Sequence, residues 1–241
     1  MTLEICASNY QSALNAQEAD AHRIELCQEL AIGGITPSYG LIKQVLDSLT
    51  IPVFILIRPR SGNFTYSEAE FDIMKQNIQL CKDLGASGIV SGVLNLDNTI
   101  DIERTQELIE LSKPLPFTFH RAFDWTPKPV KTMYSLIEIG AERILTSGQQ
   151  TSAEKGLELL VKLKDKAQNR ITILPGGDIN SNNASLFKSN GFNEVHASAS
   201  TIKTISETPR VSMNSEKFLS DTNIYYSDKE NIQSIIQSLH A

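Results

Sequence analysis

Residues 23–27 read R-I-E-L-C, in which apolar Ile24 and Leu26 alternate with polar Glu25 and Cys27. Alternation over a short run is the pattern of a β-strand with one apolar face. Parallel strands that are covered on both faces normally read as continuous hydrophobic runs instead. A closed parallel barrel, with helices outside and a polar, functional interior, explains this alternation.

The pattern recurs along the whole chain and is interrupted by helical patterns. The predicted strands are 3–7, 23–27, 53–60, 88–94, 117–124, 143–148, 171–177 and 194–200. Eight strand–helix units predict a (β/α)₈ TIM barrel, an α/β fold, as a single domain over 1–241. A doubly wound open sheet alternates in the same way, but it usually has fewer units and no reason for a polar inner face.

Two local patterns refine this prediction. Ser67 followed by Glu70 is a capping box, which predicts that the helix at about 68–84 begins there. The stretch 201–228, rich in Ser, Thr and Asn, is predicted to be a long loop after strand eight. Such a loop is either an ordinary surface connection or a lid over the barrel mouth.

Composition limits the classes of partner. A formal charge of −6 argues against a general affinity for nucleic acid. The sequence has no apolar run long enough for a transmembrane helix and no signal-peptide pattern at its start. Three cysteines do not make a secreted disulfide framework, so a cytoplasmic location is expected.

Polar residues collect where the predicted strands end, which is the catalytic face of this architecture. Glu25, His120 and Asp124 are the candidates for moving protons. For Glu4, which lies deeper in its strand, a salt-bridge network inside the barrel explains the residue equally well. These residues assign no reaction.

A second group of residues favours an anion. The turn L-P-G-G-D-I-N-S-N (174–182) leads from strand seven to a helix N-terminus, where free backbone N–H groups favour anions. Ordinary turn chemistry explains the same glycines. The candidate anion-binding residues are Arg58, Arg60, Ser147, Gly176 and Gly177.

Cys6 and Cys27 each follow a glutamate by two residues, so both thiols are expected on the inner face of neighbouring strands. Soft thiolates favour Cu(I). Buried cysteine is also often only a small apolar residue, which is the expectation for Cys81.

Several strings of the sequence resemble the CutC family, and the resemblance runs in order from about residue 3 to 200. The strings are E-I-C (4–6), R-I-E-L-C (23–27), G-G-I-T-P-S (33–38), I-R-P-R-S-G-N-F-T-Y-S (57–67), F-H-R-A-F-D (119–124), R-I-L-T-S-G (143–148), L-P-G-G (174–177) and E-V-H-A-S-A (194–199). The chain departs from the family at Asp178, where the family has a third glycine, at 17–22, and beyond residue 200.

The resemblance implies a cytosolic barrel protein of copper homeostasis, with Cu(I) held by Cys6 and Cys27 at the barrel mouth. The residues themselves favour an alternative, an enzyme acting on a small anionic or phosphorylated metabolite. The expected partners are therefore a copper ion or a small anion, without nucleic acid or membrane, and a homodimer is the expected assembly.

Overall fold

The computed structural model describes residues 1–204, 207, 210–212 and 220–240. Its central sheet contains eight parallel strands: β1 (Thr2–Ala7), β2 (Arg23–Leu26), β3 (Val53–Leu56), β4 (Gly88–Ser91), β5 (Phe117–Phe119), β6 (Arg143–Thr146), β7 (Thr172–Pro175) and β8 (Glu194–Ala197). The strands follow one another around the sheet, with β8 beside β1. A parallel bridge between Gly176 and His196 joins the ends of β7 and β8. The predicted (β/α)₈ barrel is therefore confirmed.

Helices lie between the strands and cover the outside of the barrel. They are α1 (Tyr10–Glu18), α2 (Tyr39–Ser48), α3 (Glu68–Asp83), α4 (Ile102–Ser112), α5 (Pro129–Glu138), α6 (Leu157–Ala167), α7 (Ala184–Ser189) and α8 (Lys229–His240). Ser67 and Glu70 form the predicted capping box at the start of α3. Helix α6 begins directly after Gly156, which packs so closely against the carbonyl oxygen of Ser147 that a Cβ would not fit there.

The sequence predicts that the stretch after β8 is a long loop, and this prediction is wrong in part. The stretch contains two antiparallel strands, β9 (Ser200–Thr204) and β10 (Asn223–Ser227), in register from Ser200 opposite Ser227. Residues 205, 206, 208, 209 and 213–219 of the predicted loop lie outside the described residues. The function of this stretch as a lid stays a prediction.

The main core lies between the strands and the surrounding helices. The predicted apolar face is fully buried there: Leu3, Ile5, Ile24, Leu26, Ile55, Ile57, Phe117, Phe119, Val195 and Ala197. Burying a side chain of this size contributes roughly 1.5–3 kcal/mol to stability. This layer fixes the parity of each strand, so the alternate residues must face the barrel axis.

The inner face is less uniformly polar than the alternation predicts. On β3 and β4 it carries Phe54, Leu56 and Val90, which pack with Cys6 and Cys27 in a small apolar cluster. Gly88 on β4 leaves room for the Phe54 ring, because a Cβ at position 88 would lie 2.6 Å from it.

The N-terminal end of the barrel is closed by four charged side chains, Glu4, Arg23, Arg143 and Glu194, called the ionic floor below. Arg23 pairs with Glu4 through Nε and with Glu194 through Nη2, at 2.6 Å for the second pair. Arg143 pairs with Glu194 at 3.4 Å. Both arginines lie over the Phe54 ring, about 5 Å from its centroid. The structure thus agrees with the salt-bridge explanation of Glu4, because this residue takes part in an ion-pair network inside the barrel.

No helix among the described residues is long and apolar enough to cross a membrane.

Candidate functional site

A cavity of about 620 Å³ opens at the C-terminal ends of the strands. Its walls come from six strand ends, the following loops and the β9–β10 hairpin. It is lined by Cys6, Glu25, Leu30, Ala31, Gly33, Leu56, Arg58, Phe64, His120, Arg121, Leu145, Gly177, Asp178, His196, Ala197, Ser198, Ser200 and Tyr225. A cavity of this size suits a small organic molecule and is much larger than a metal ion requires.

The two thiols lie side by side in one wall. Cys6 Sγ and Cys27 Sγ are 3.6 Å apart, and both cysteines are free. This separation exceeds the disulfide bond length of about 2.05 Å. Two sulfur atoms at about 2.3 Å from one metal ion can be separated by as much as about 4.6 Å, so one ion could contact both.

Cys27 is fully buried, whereas Cys6 reaches the cavity. The loop after β2 covers Cys27 and needs glycine at position 34, where φ is +81° and a Cβ would lie 3.3 Å from the Cβ of Cys27. The hydrogen bond with Cys27 and burial raise the pKa of the Cys6 thiol well above its ordinary value. Cys6 therefore keeps its proton at neutral pH in the ion-free protein.

Next to the thiols lies a cluster of Glu4, Glu25 and His196. The strand register places Cys6 opposite Glu25 and Glu4 opposite His196. His196 Nδ1 is 2.7 Å from Glu4 Oε1 and 3.9 Å from Glu25 Oε2. One potential ligand atom from each of the three residues lies within 4.8 Å of the others, so they could also hold a cation.

The three groups have strongly shifted pKa values. Burial raises the pKa of Glu25 to about 7, and the negative charge of Glu4 adds to this effect against the attraction of His196. Burial alone would raise the pKa of Glu4, but the hydrogen bond with His196 and the charge of Arg23 outweigh it and lower this pKa to about 2. Burial opposes the charged form of His196, yet its bonds with Cys6 and Glu4 raise its pKa well above the usual value.

Glu25 differs from Glu4 in having no hydrogen-bond donor in the described part of the chain. Its Oε2 is buried without a partner, and the residue is 5% exposed. An ionised carboxylate in such a place is costly unless a ligand, a cation or a proton satisfies it.

His120 lies at the end of β5, in the opposite part of the cavity wall. Its Nδ1 accepts a hydrogen bond from the backbone N–H of Ala122 at 3.2 Å, which leaves the proton of the neutral ring on Nε2. Nε2 is buried and has no partner among the described residues. Burial and the nearby charge of Arg58 lower the pKa of His120 to about 3, so the ring is a neutral N–H donor at pH 7.

Arg58 faces the cavity but is largely used by the surrounding loops. Its Nη1 donates to the carbonyl oxygens of Ile32 and Gly34, and Nη2 donates to Gly62. Within the described residues no carboxylate forms an ion pair with this 5% exposed guanidinium. Arg58 therefore shapes the mouth and contributes a positive charge that no protein anion neutralises.

Arg60, a predicted anion ligand, does not line the cavity. Its Nε pairs with Glu70 at 2.5 Å, and its other nitrogens donate to the backbone of residues 61, 63 and 65. Parity along the strand does not predict this, because β3 ends at Leu56 and the chain has turned before residue 60. Arg60 instead holds its own loop at the start of α3.

Asp124 and Ser147 also point away from the cavity and bind each other. Asp124 accepts hydrogen bonds from the backbone N–H groups of Ser147 and Gln149 at 3.1 Å, and from the hydroxyl of Thr146. A carboxylate surrounded by donors in this way organises the loop after β6. The structure therefore gives Asp124 a positioning geometry, and Ser147 Oγ already has partners in Asp124 and Gln150.

Arg121 is the cation that Asp124 and Ser147 position. Its Nε donates to Asp124 at 2.9 Å and its Nη2 to Ser147 Oγ at 2.9 Å, while Nη1 has no partner in the described part of the chain. Gly177 lies against it in the cavity wall, since a Cβ there would be 3.6 Å from Nη1. Gly177 has φ +114°, which favours glycine, whereas Gly176 lies behind the wall beside Leu145.

Several residues of the wall escape sequence reasoning. Leu30, Phe64 and Tyr225 come from three separate loops or strands, and no motif connects them. Phe64 contacts both His120 and Trp125, with ring centroids 4.9 Å apart in each case. The phenylalanine inside the string 57–67 is the one available signal, because polar loops rarely need this residue.

Comparison with known proteins agrees with the architecture. The model of the CutC family matches residues 1–201. The mouse copper homeostasis protein cutC homolog is 46% identical over 82% of this chain and 73% of its own length. A CutC family protein of Pasteurella multocida (strain Pm70) is 45% identical over 87% of this chain and 86% of its own length.

A solved structure shows the same relationship. The crystal structure of CutC from Streptococcus agalactiae superposes with a TM-score of 0.78 at 34% identity, covering 82% of this chain and 98% of that one. Thiamine phosphate pyrophosphorylase from Pyrococcus furiosus, at 13% identity and a TM-score of 0.61, shares the fold alone. From the family match and these identities, the chain belongs to the CutC family.

Proposed function

We propose that this protein binds Cu(I) in copper homeostasis, with Cys6 and Cys27 as the ligands. The observation that carries the proposal is the 3.6 Å separation of two free, buried thiols at the cavity wall. Soft sulfur donors in an apolar surrounding suit Cu(I) better than hard divalent ions. The similar proteins of mouse and human are named copper homeostasis protein cutC homolog, which supports the same function.

In this proposal Cys6 is the residue that first meets the ion, because it lines the cavity while Cys27 lies behind it. Leu56, Phe54 and Val90 pack around the pair and exclude water. The thiol pair also requires a reducing compartment, since oxidation to a disulfide would remove both ligands.

Cu(I) titration against a chromogenic Cu(I) chelator tests the proposal. The parent protein should bind one Cu(I) per chain, and Cys6→Ser with Cys27→Ser should lose at least about a hundredfold in affinity. Cys81→Ser is the matched control, because Cys81 is equally buried but lies on α3 in the outer core. Equal Cu(I) affinity in the parent and the double variant would refute the proposal.

A second candidate function is an enzyme that acts on a small anionic metabolite. It is favoured by two buried groups of the cavity that have no hydrogen-bond partner among the described residues, Glu25 Oε2 and the Nε2–H of His120. Cu(I) held by thiols needs neither of them. In this candidate Glu25 accepts a proton from the substrate, and His120 donates a hydrogen bond to the substrate oxygen that gains charge.

Proton transfer can be tested without knowing the product. Substrate candidates incubated in D₂O with the parent protein should exchange a carbon-bound proton, as measured by NMR, and Glu25→Gln should abolish the exchange. Exchange that survives in Glu25→Gln would remove Glu25 from this role.

A further inference from the structure

The cavity contains more recognition chemistry than a copper ion uses. The thiols occupy one wall, and the remaining volume of the roughly 620 Å³ cavity is bordered by charged and polar groups on β2, β5 and the loop after β7. The inference below rests on the second candidate function and names the class of molecule that fits these groups.

The first feature is a fixed cation with one free side. Asp124 and Ser147 hold two nitrogens of the Arg121 guanidinium, so its plane is oriented before any ligand arrives. The remaining nitrogen, Nη1, lies beside Gly177 in the cavity wall. A preorganised guanidinium is well suited to a carboxylate or a phosphate group.

The second feature is a buried positive charge. Arg58 has its nitrogens directed to backbone carbonyl oxygens, and these neutral partners leave its charge uncompensated. An anion in the same cavity would be attracted to both arginines. Asp178 opposes this attraction, but it is exposed at the rim, where water screens its charge.

The third feature is a donor and an acceptor for uncharged polar groups. His120 offers Nε2–H, and Glu25 offers carboxylate oxygens that receive no hydrogen bond from the described residues. Each residue is 5% exposed, so water does not readily satisfy these groups. A ligand with two hydroxyl groups could satisfy the two residues, donating to Glu25 with one group and accepting from His120 with the other.

Access to Nε2 involves Phe64. The half-buried ring lines the cavity and packs on the imidazole with ring centroids 4.9 Å apart, so a ligand that reaches Nε2 would also contact this ring. Phe64 would then cover one face of the bound molecule.

We propose that the cavity binds a small hydroxylated anion, with its carboxylate or phosphate at Arg121 and Gly177 and with hydroxyl groups at Glu25 and His120. A hydroxycarboxylate and a phosphorylated polyol share this chemistry. None of these contacts involves a thiol, so binding does not require copper.

Isothermal titration of the copper-free full-length protein tests this proposal with four probes: glycerol 3-phosphate, glycerate, inorganic phosphate and glycerol. At least one of the first two should bind more than about tenfold more tightly than phosphate, and glycerol should be weaker still. Arg121→Ala should reduce that affinity more than about tenfold. Arg170→Ala is the matched control, since Arg170 lies outside the cavity and donates to backbone carbonyl oxygens at the end of α6, and it should bind like the parent.

Two further variants separate the elements of the proposal. Glu25→Gln, which is nearly isosteric, should reduce the advantage of the hydroxylated probe over inorganic phosphate. Cys6→Ser with Cys27→Ser should bind the probe as the parent does while losing Cu(I), which distinguishes this site from the proposed copper site. The proposal is overturned if neither hydroxylated anion binds at millimolar concentration, or if Arg121→Ala binds as tightly as Arg170→Ala.

Discussion

Between pH 8 and pH 5 the free energy of unfolding should fall by about 2 kcal/mol less in His120→Asn than in the parent protein. The folded protein holds the pKa of His120 at about 3, because the ring is buried beside Arg58, whereas the ordinary value is 6.5. Below pH 6.5 His120 is protonated in the unfolded chain, whereas the buried ring in the folded protein stays neutral. The stability that depends on neutral His120 is therefore complete above pH 6.5 and is lost as the pH falls towards 3.

The magnitude follows from the distance in pH. A pH of 5 lies about 1.5 pH units below the pKa of the histidine in the unfolded chain. Each unit is worth about 1.36 kcal/mol, which gives about 2 kcal/mol. Asparagine keeps a side-chain acceptor for the backbone N–H of Ala122 and cannot titrate. Its lower absolute stability does not matter, because the comparison concerns the change with pH.

Urea denaturation at pH 8, 6.5 and 5 provides the measurement. The parent should lose about 2 kcal/mol more than His120→Asn over this range, while carboxylates contribute equally to both proteins. His240→Asn is the control, because His240 is exposed on α8 and should leave the parent's pH dependence unchanged. Equal losses in the parent and His120→Asn would refute a buried neutral imidazole.

Two more outcomes follow from the same contacts. Glu25→Gln should act in the opposite direction. The pKa of Glu25 is raised to about 7, so the parent loses stability as the pH rises from about 4.5 through 7. In urea denaturation at pH 8 the variant should therefore gain up to about 3 kcal/mol of unfolding free energy over the parent. A stability difference that is constant across pH would contradict this. Asp124→Ala should cost about 3 kcal/mol, because the N–H groups of Ser147 and Gln149 lose their acceptor. Asp165→Ala, on the exposed surface of α6, should cost less than about 0.5 kcal/mol by the same assay. Similar costs for the two aspartates would argue against the loop-organising geometry of Asp124.

The fold could be predicted from the sequence because each strand carries its own alternation. Ile24 and Leu26 require the outer core, and this requirement directs Glu25 to the barrel axis whatever the rest of the chain does. The strand ends follow less closely, since Arg60 continues the parity of its strand in sequence but belongs to a turn in space. The β9–β10 hairpin has weak alternation and mostly exposed residues, so no apolar face announces it.

The predicted residues that line the cavity lie on a strand or within two residues of its end. Cys6 and Glu25 are on β1 and β2, while His120, Arg58 and Gly177 follow β5, β3 and β7 by one or two residues. Asp124 and Ser147 come after their strands, and their short side chains form hydrogen bonds with each other instead of facing a ligand. The value of Arg121 depends on that pair, and a relation among three side chains from two loops leaves no pattern in a linear sequence.

The ionic floor has a consequence for traffic through the molecule. Arg23 pairs with Glu4 and Glu194, Arg143 pairs with Glu194, and both arginines lie over the Phe54 ring, so these side chains fill the N-terminal end of the barrel. We therefore expect a ligand to enter and leave at the C-terminal mouth, so that its release depends on a competitor or a recipient that reaches the same opening.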